Sequence, residues 1–289
     1  GNLGLVQVKV EPETTFRFTP AGPQIKAGGL VITESTDMGV VGKLTALNNT
    51  ELYLLLTDAD VLAGAKQNRV LNKSVLLAPM SKTILDVSCV ERGRWQYAGK
   101  TFSAPVNIAD PDLRREKAAS IARRKTKPHE HEDTQGRVWS HVRMKMDAMN
   151  FENATESYSA LLNYSTDRIK NDFPPCDPEN ESNCLAVVMG SKVVSADIFG
   201  TAEAYRHYFP MLRDSAFRMA SSGKEHKSPD MHEAYYRVLE TLDAFEAATR
   251  HSEDTYAGAG RFMIAENDQL VGFELTANDE IIHSVLFTK

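Results

Sequence analysis

The sequence predicts an α+β protein with a β-rich N-terminal half, central and C-terminal helices, and a closing antiparallel β-meander. Two observations support this fold class. Short β-branched and aliphatic runs, punctuated by glycines and turn residues, fill positions 1–110, whereas apolar residues recur three and four apart in much of 135–250. Because strands and helices fall in separate blocks, this arrangement is favoured over alternating βαβ units.

The N-terminal region, residues 1–110, is predicted to be β-rich, with strands at 5–10, 30–34, 40–47, 52–57, 74–78 and 82–87. The strand signal weakens after residue 102. Asp110 then offers a side-chain N-cap, and Pro111 suits the first position of a helix. A highly charged helix is therefore predicted to extend to about residue 125.

The C-terminal region, residues 111–289, is predicted to pack with the first region as one unit. It should contain helices at 135–150, 154–170, 201–220 and 229–250, a hairpin at 185–189 and 192–197, and meander strands at 260–265, 269–277 and 280–287. Asp197 stands where the hairpin meets the next helix. We expect it to cap the helix that starts near Thr201, with a pocket-facing role as the alternative.

Composition limits the classes of function. The chain has 289 residues, 42% hydrophobic and 25% charged, with a formal net charge of -6. This balance indicates a soluble globular protein without broad affinity for nucleic acid, and no apolar run is long enough to cross a membrane. We expect a cytoplasmic location. Because Gly1 is not preceded by Met, removal of an upstream leader is an alternative, and the oligomeric state is left open.

The cysteines and histidines do not predict a metal site. Cys176 and Cys184 flank an acidic loop and would pair only in an oxidising compartment, so both the free and the paired state stay open. Residues 129–133 form a dense His, Glu and Asp run. The spacing lacks a helical HExxH pattern, so we interpret this run as a solvated loop.

The strongest candidate site begins with a polar triplet. Gln67, Asn68 and Arg69 follow three small residues at 63–65, and Asp60 precedes them. Amide side chains present paired donors and acceptors, and a guanidinium presents a rigid fork for a carboxylate or phosphate. The triplet therefore suits recognition of a planar or anionic ligand, such as a nucleotide-like small molecule.

A second motif follows the strand predicted at 82–87. If that strand continues, Cys89 and Glu91 project to one face, Arg94 adds a second fork after a glycine turn, and Trp95 offers a stacking surface. In a catalytic interpretation, Cys89 is the nucleophile and Glu91 a base or metal ligand. In a binding interpretation, the arginines hold an anion. In a structural interpretation, Glu91 and an arginine form a buried clasp that pins one loop to another.

A family resemblance is carried by two strings, VLAGAKQNRVLNKSVLLAP and VSCVERGRW. They resemble the ARPP-1 domain, whose name records an association with ADP-ribosylglycohydrolases and rhodanese-phosphatase proteins. Looser similarity at 137–139, 157–162 and 197–200 extends the resemblance over most of the chain. It implies an ADP-ribose- or NAD-linked setting and the same motif residues, but no particular reaction or cofactor. Asp60 departs from the Glu expected at that position.

Overall fold

The computed structural model describes residues 2–36, 42–126, 133–222, 227–254 and 256–289. Within these residues the chain forms six helices and fifteen strands arranged in three sheets. Helices and strands are segregated, and the chain ends in an antiparallel meander. The predicted α+β class is therefore confirmed.

The N-terminal strands build two small sheets. They are β1 Leu3–Val8, β2 Thr19–Pro20, β3 Leu30–Glu34, β4 Lys43–Asn48, β5 Leu54–Leu56, β6 Val61–Leu62, β7 Arg69–Leu71, β8 Val75–Leu77 and β9 Ser81–Cys89, with the short helix α1 Gly22–Ala27 after β2. One sheet has the order β3-β4-β9-β7-β6 and the other the order β2-β5-β8. Sequence patterns missed β2, β6 and β7, because two or three residues are too few to show a period.

The C-terminal elements form a seven-stranded sheet with helices packed against it. They are α2 Pro111–Thr126, α3 Thr134–Ala148, α4 Tyr158–Asp172, β10 Cys184–Met189, β11 Lys192–Phe199, α5 Ala202–Ser222, α6 Met231–Glu246, β12 Thr249–Ser252, β13 Arg261–Glu266, β14 Leu270–Ala277 and β15 Glu280–Thr288. The sheet order is β1-β10-β11-β15-β14-β13-β12, with every neighbouring pair antiparallel.

The first strand of the chain belongs to this large sheet. β1 pairs with β10 from Leu3 opposite Met189 to Val8 opposite Cys184. The two halves also share a hydrophobic cluster, in which Leu55 and Leu76 from the N-terminal strands join side chains of α2, α5 and the meander. Contacts of this kind couple the stability of the two regions.

Three predictions about element ends are corrected. The helix expected at 229–250 ends at Glu246, and the following residues form the edge strand β12, whose backbone pairs with β13. The helix expected at 154–170 starts at Tyr158, because the Ser157 side chain caps it by accepting the Ala160 N–H. Asp197 caps no helix in this structure. Thr201 supplies the side-chain oxygen that accepts the Ala204 N–H instead.

None of the helices in the described part of the chain is both long and apolar enough to cross a membrane.

Candidate functional site

The polar triplet is held by a tight turn between β6 and β7. Gly64 has φ of +137°, and a Cβ at this position would lie 2.6 Å from the carbonyl oxygen of Thr101. Only glycine fits such a close backbone approach. β7 then pairs with β9, placing Arg69 opposite Cys89. Residues 20 apart in sequence are thereby brought side by side.

Gln67 joins the two motifs directly. Its Oε1 lies 2.7 Å from Cys89 Sγ and 3.2 Å from Arg69 Nη1, and its Nε2 donates to the backbone oxygen of Glu91 at 2.8 Å. The backbone of Cys89 is held on its other side by the Gln135 amide of α3, which both donates and accepts. The predicted proximity of a thiol and a carboxyl-bearing residue is therefore realised, but within a closed network.

Glu91 and Arg94 form the centre of that network. Arg94 Nη2 lies 2.6 Å from Glu91 Oε2, while Arg94 Nη1 donates to the Ala65 carbonyl oxygen at 2.7 Å. Thr155 donates to Glu91 Oε1 at 2.9 Å. Although burial favours the neutral acid, the hydrogen bond from Arg94 leads a set of contacts that hold the pKa of Glu91 below its ordinary value.

Asn68 extends the network to the cap of α4. Its backbone N–H donates to Glu91 Oε2 at 3.1 Å, and its side-chain amide donates to Ser157 Oγ at 3.2 Å. Its Oδ1 accepts the Gly64 N–H at 3.1 Å. Gln67, Asn68, Arg69, Cys89, Glu91 and Arg94 thus contact one another or common partners, and we call these six residues the motif cluster.

The thiol of Cys89 is poorly suited to nucleophilic attack. Burial raises its pKa to about 11, with Glu34 and Glu91 also raising it and Arg69 opposing them. The side chain is buried. The thiol is therefore protonated at neutral pH, whereas the reactive form of cysteine is the thiolate.

Arg69 leads from the motif cluster toward the surface. Its side chain is fully buried, with Nη2 3.7 Å from Glu34 Oε1, and its Nε and Nη2 have no hydrogen-bond partner. The guanidinium carbon lies 5.9 Å from the centre of the Trp95 ring, and that ring is 45% exposed. Trp95 therefore covers Arg69 on one side and faces solvent on the other.

Glu34 forms the inner end of an open cleft. Residues 33–36 and 97–100 line this cleft, which has a volume of about 860 Å³. A backbone bridge between Thr33 and Thr101 sets the two segments side by side. Sequence analysis missed Glu34, Tyr97 and Lys100. The one available signal was a carboxylate ending an otherwise apolar predicted strand.

The rim of the cleft carries aromatic and cationic groups. Lys66 Nζ lies 5.5 Å from the Trp95 ring centre and 5.0 Å from that of Tyr97, within cation–π range. Tyr97 is 53% exposed. Lys100 adds a second ammonium group to the lining. Stacking surfaces and positive charge therefore occur together beside the motif cluster.

Asp60 lies apart from the other predicted site residues. Its Oδ2 accepts the Thr57 N–H at 2.8 Å and lies 3.3 Å from the Tyr208 hydroxyl. Burial raises the pKa of Asp60 to about 7. Its nearest charges are Asp58 and Arg114, which belong to a second polar network.

This second network surrounds Arg114 of α2. The guanidinium makes paired hydrogen bonds to Asp58, at 2.9 and 3.0 Å, and to Asp197, at 2.6 and 3.0 Å. Although burial favours its neutral form, the guanidinium lowers the pKa of Asp197, and both carboxylates raise the pKa of Arg114. Lys117 donates to the backbone oxygens of Asp58 and Leu71, and burial lowers its pKa to about 7.

His283 and Ser74 complete this network. Ser74 Oγ lies 2.9 Å from His283 Nδ1, and His283 Nε2 lies 3.4 Å from Asp197 Oδ1 without hydrogen-bond geometry. We call Asp58, Ser74, Arg114, Lys117, Asp197 and His283 the Arg114 cluster. Its Ser, His and Asp have the composition of a hydrolase triad, but all three are buried, and both Asp197 oxygens are bound by Arg114.

Metal ligands are grouped once within the described residues. Asp58, Asp197 and His283 have potential ligand atoms within 4.8 Å of one another. Arg114 already neutralises the two carboxylates, so this group fits an internal ion-pair network better than a cation. The predicted solvated run at 129–133 lies outside the described residues except for Asp133, which caps α3. Cys176 and Cys184 are both free.

Comparison with known proteins agrees with the motif residues. The family profile described as "ARG and Rhodanese-Phosphatase-superfamily-associated Protein domain" matches residues 1–287. Comparison with curated proteins and with solved structures gives no match. Because the profile spans nearly the whole chain, this protein belongs to the ARPP-1 family.

Proposed function

We propose that this chain is a binding domain for a nucleotide-like, phosphate-bearing small molecule in an ADP-ribose- or NAD-linked process. The observation that carries the proposal is the cleft lined by residues 33–36 and 97–100. Its volume of about 860 Å³ falls within the range of about 300–1,000 Å³ typical of ligand sites. The family name supports the ADP-ribose-linked setting.

The chemistry of the rim supports a ligand with a ring and a phosphate. Tyr97 and Trp95 offer exposed aromatic faces on which a base can stack. Lys66 and Lys100 supply positive charge near those rings. A phosphate group would meet these ammonium groups, while the base would contact an aromatic face.

The arginines have a different role in this proposal from the one that their sequence suggests. Arg94 already donates to Glu91 and to backbone oxygens, so it would support the cleft from behind. Arg69 would act similarly through Glu34. The motif cluster would then fix the walls of the site, and the residues of the cleft would contact the ligand.

A binding titration tests the proposal. Calorimetry and thermal shift should detect ADP-ribose, NAD or a phosphosugar, and a ligand at ten times its Kd should stabilise the fold by about 1.4 kcal/mol. Tyr97→Ala should weaken binding at least fivefold, because base stacking contributes about 1–3 kcal/mol. Tyr236→Ala is the matched control, since Tyr236 is 54% exposed on α6. Absence of any shift across the panel would refute the proposal.

A structural role is the second candidate, favoured by the closed contact between Glu91 and Arg94. In that case the motif cluster serves mainly to pin the loop after β9 to the turn before β7. The alternative of a hydrolase or transferase using Cys89 has less support, because the thiol is buried and its pKa is raised. The expected cytoplasmic location stays a prediction.

A further inference from the structure

The side chain of Glu34 is more buried than its surroundings require and is only half used. Its carboxylate is 4% exposed. Oε1 accepts the Lys66 backbone N–H at 3.2 Å and faces Arg69 Nη2 at 3.7 Å. Oε2 is buried and has no hydrogen-bond partner. A buried carboxylate oxygen without a donor is costly, so an external donor would explain its position.

A second unpartnered polar atom lies on the next residue. Ser35 Oγ is buried and makes no hydrogen bond, and both Glu34 and Ser35 line the cleft. A carboxylate oxygen only accepts hydrogen bonds, whereas a hydroxyl both donates and accepts. Together they match a ligand that offers one donor and, beside it, a group able to exchange a hydrogen bond.

The charges around Glu34 decide between an amine and a hydroxyl as the donor. Arg69 lies against the carboxylate, and Lys66 and Lys100 stand near the mouth of the cleft. These cations would repel a ligand ammonium group. A neutral hydroxyl can donate to Glu34 without that repulsion, and a neighbouring hydroxyl can reach Ser35.

We infer that Glu34, assisted by Ser35, recognises the vicinal hydroxyls of a ribosyl group at the inner end of the cleft. The inference rests on the proposed function and specifies its ligand class: a phosphorylated sugar with a vicinal diol. The sugar binds at the Glu34 end, and the phosphate contacts the lysines at the rim.

A matched pair of ligands tests the inference. Ribose 5-phosphate and 2-deoxyribose 5-phosphate differ by one hydroxyl, and the protein should bind the first at least tenfold more tightly. In Glu34→Gln the amide oxygen can keep the bond from the Lys66 N–H, which leaves an NH2 group where Oε2 stands. That variant should reduce the preference to threefold or less. Glu51→Gln, at an exposed carboxylate, should keep the full preference.

The outcomes separate the two proposals. If ADP-ribose or a phosphosugar binds but the two sugar phosphates bind equally, or if Glu34→Gln keeps the preference, the diol inference fails and the proposed function stands. If no compound in the panel binds, both fail. Should Glu34→Gln not fold, as judged by its thermal melt, Ser35→Ala replaces it and should lower the preference severalfold. An unchanged preference in Ser35→Ala would then overturn the inference.

Discussion

The motif cluster and the Arg114 cluster are both buried networks of charged and polar side chains, yet they are assembled in opposite ways. The motif cluster takes its members from positions 67–94 and lies beside an open cleft. The Arg114 cluster draws on positions 58, 74, 114, 117, 197 and 283, which belong to separate elements. The difference teaches that a dense polar motif in sequence marked a local clasp, whereas the deepest charges left no local signature.

The two clusters also differ in exposure. Arg114 and its two carboxylate partners are at most 3% exposed, whereas the Arg94 side chain retains 19%. Electrostatic contacts weaken as solvent screening increases. We therefore expect the Arg114 cluster to contribute more to global stability and the motif cluster to shape the adjoining cleft.

The largest expected effect is that of Arg114→Met. This substitution leaves Asp58 and Asp197 buried without their shared partner and should lower the free energy of unfolding by about 3–5 kcal/mol. Urea denaturation measures it. Arg115→Met is the control, because Arg115 is an exposed neighbour on the same helix and should cost less than about 1 kcal/mol. Equal losses for the two variants would contradict a structural role for the Arg114 cluster.

Arg94→Ala should have the next largest effect. It removes the partner of Glu91 and a donor to the Ala65 carbonyl oxygen, so we expect a loss of about 2–3 kcal/mol, reduced by the partial exposure of Arg94. Arg92→Ala, at a largely exposed side chain, is the matched control. Unchanged stability in Arg94→Ala would rule out the clasp and return Arg94 to the pool of ligand-binding candidates.

The pH dependence of stability tests the edge of the Arg114 cluster. Burial raises the pKa of Asp60 from 3.8 to about 7, so the folded state keeps a proton that the unfolded chain releases. This contribution is complete below about pH 4 and is lost as the pH rises through 7. Between pH 5 and 7, wild type should lose about 2 kcal/mol relative to Asp60→Asn.

Urea melts at the two pH values provide that comparison. Asp254→Asn is a suitable control, because the Asp254 side chain is mostly exposed and should leave the pH dependence unchanged. Parallel profiles for wild type and Asp60→Asn would show that Asp60 titrates normally.

Chemical labelling has the smallest expected effect on stability and compares the interiors directly. Cys89 and Cys184 are buried with raised pKa values, whereas Cys176 is only partly buried. Iodoacetamide at pH 8 should modify Cys176 first, and the other two only on unfolding. Mass spectrometry of digested protein reads the order. Rapid labelling of Cys89 in the folded state would show that the motif cluster opens and would revive the thiol nucleophile.

Much of the fold could be predicted because periodicity reports local geometry. The strand at Leu30–Glu34 matches its predicted limits, and the hairpin and meander were found within a few residues. The errors fall where local pattern is silent. β12 was assigned to a helix because its residues gain their strand geometry only by pairing with β13.

The candidate site was predicted only in part. Residues 67–69 and 89–94 do lie together, because β7 pairs with β9. Glu34 escaped notice, since its relation to Arg69 depends on how β3 lies across the sheet. Asp60 was grouped with the motifs by proximity in sequence, but its contacts are with Thr57 and Tyr208.

The sequence by itself determined the α+β class, the family and the two motifs, since composition, periodicity and residue strings are all local properties of the chain. Tertiary structure decided that Arg94 binds Glu91, that Asp197 holds Arg114, and that Glu34 ends at an open cleft. The physical reason is that burial and charge pairing depend on contacts between distant segments. Whether a polar residue meets a partner, solvent or a ligand is settled only when those segments pack together.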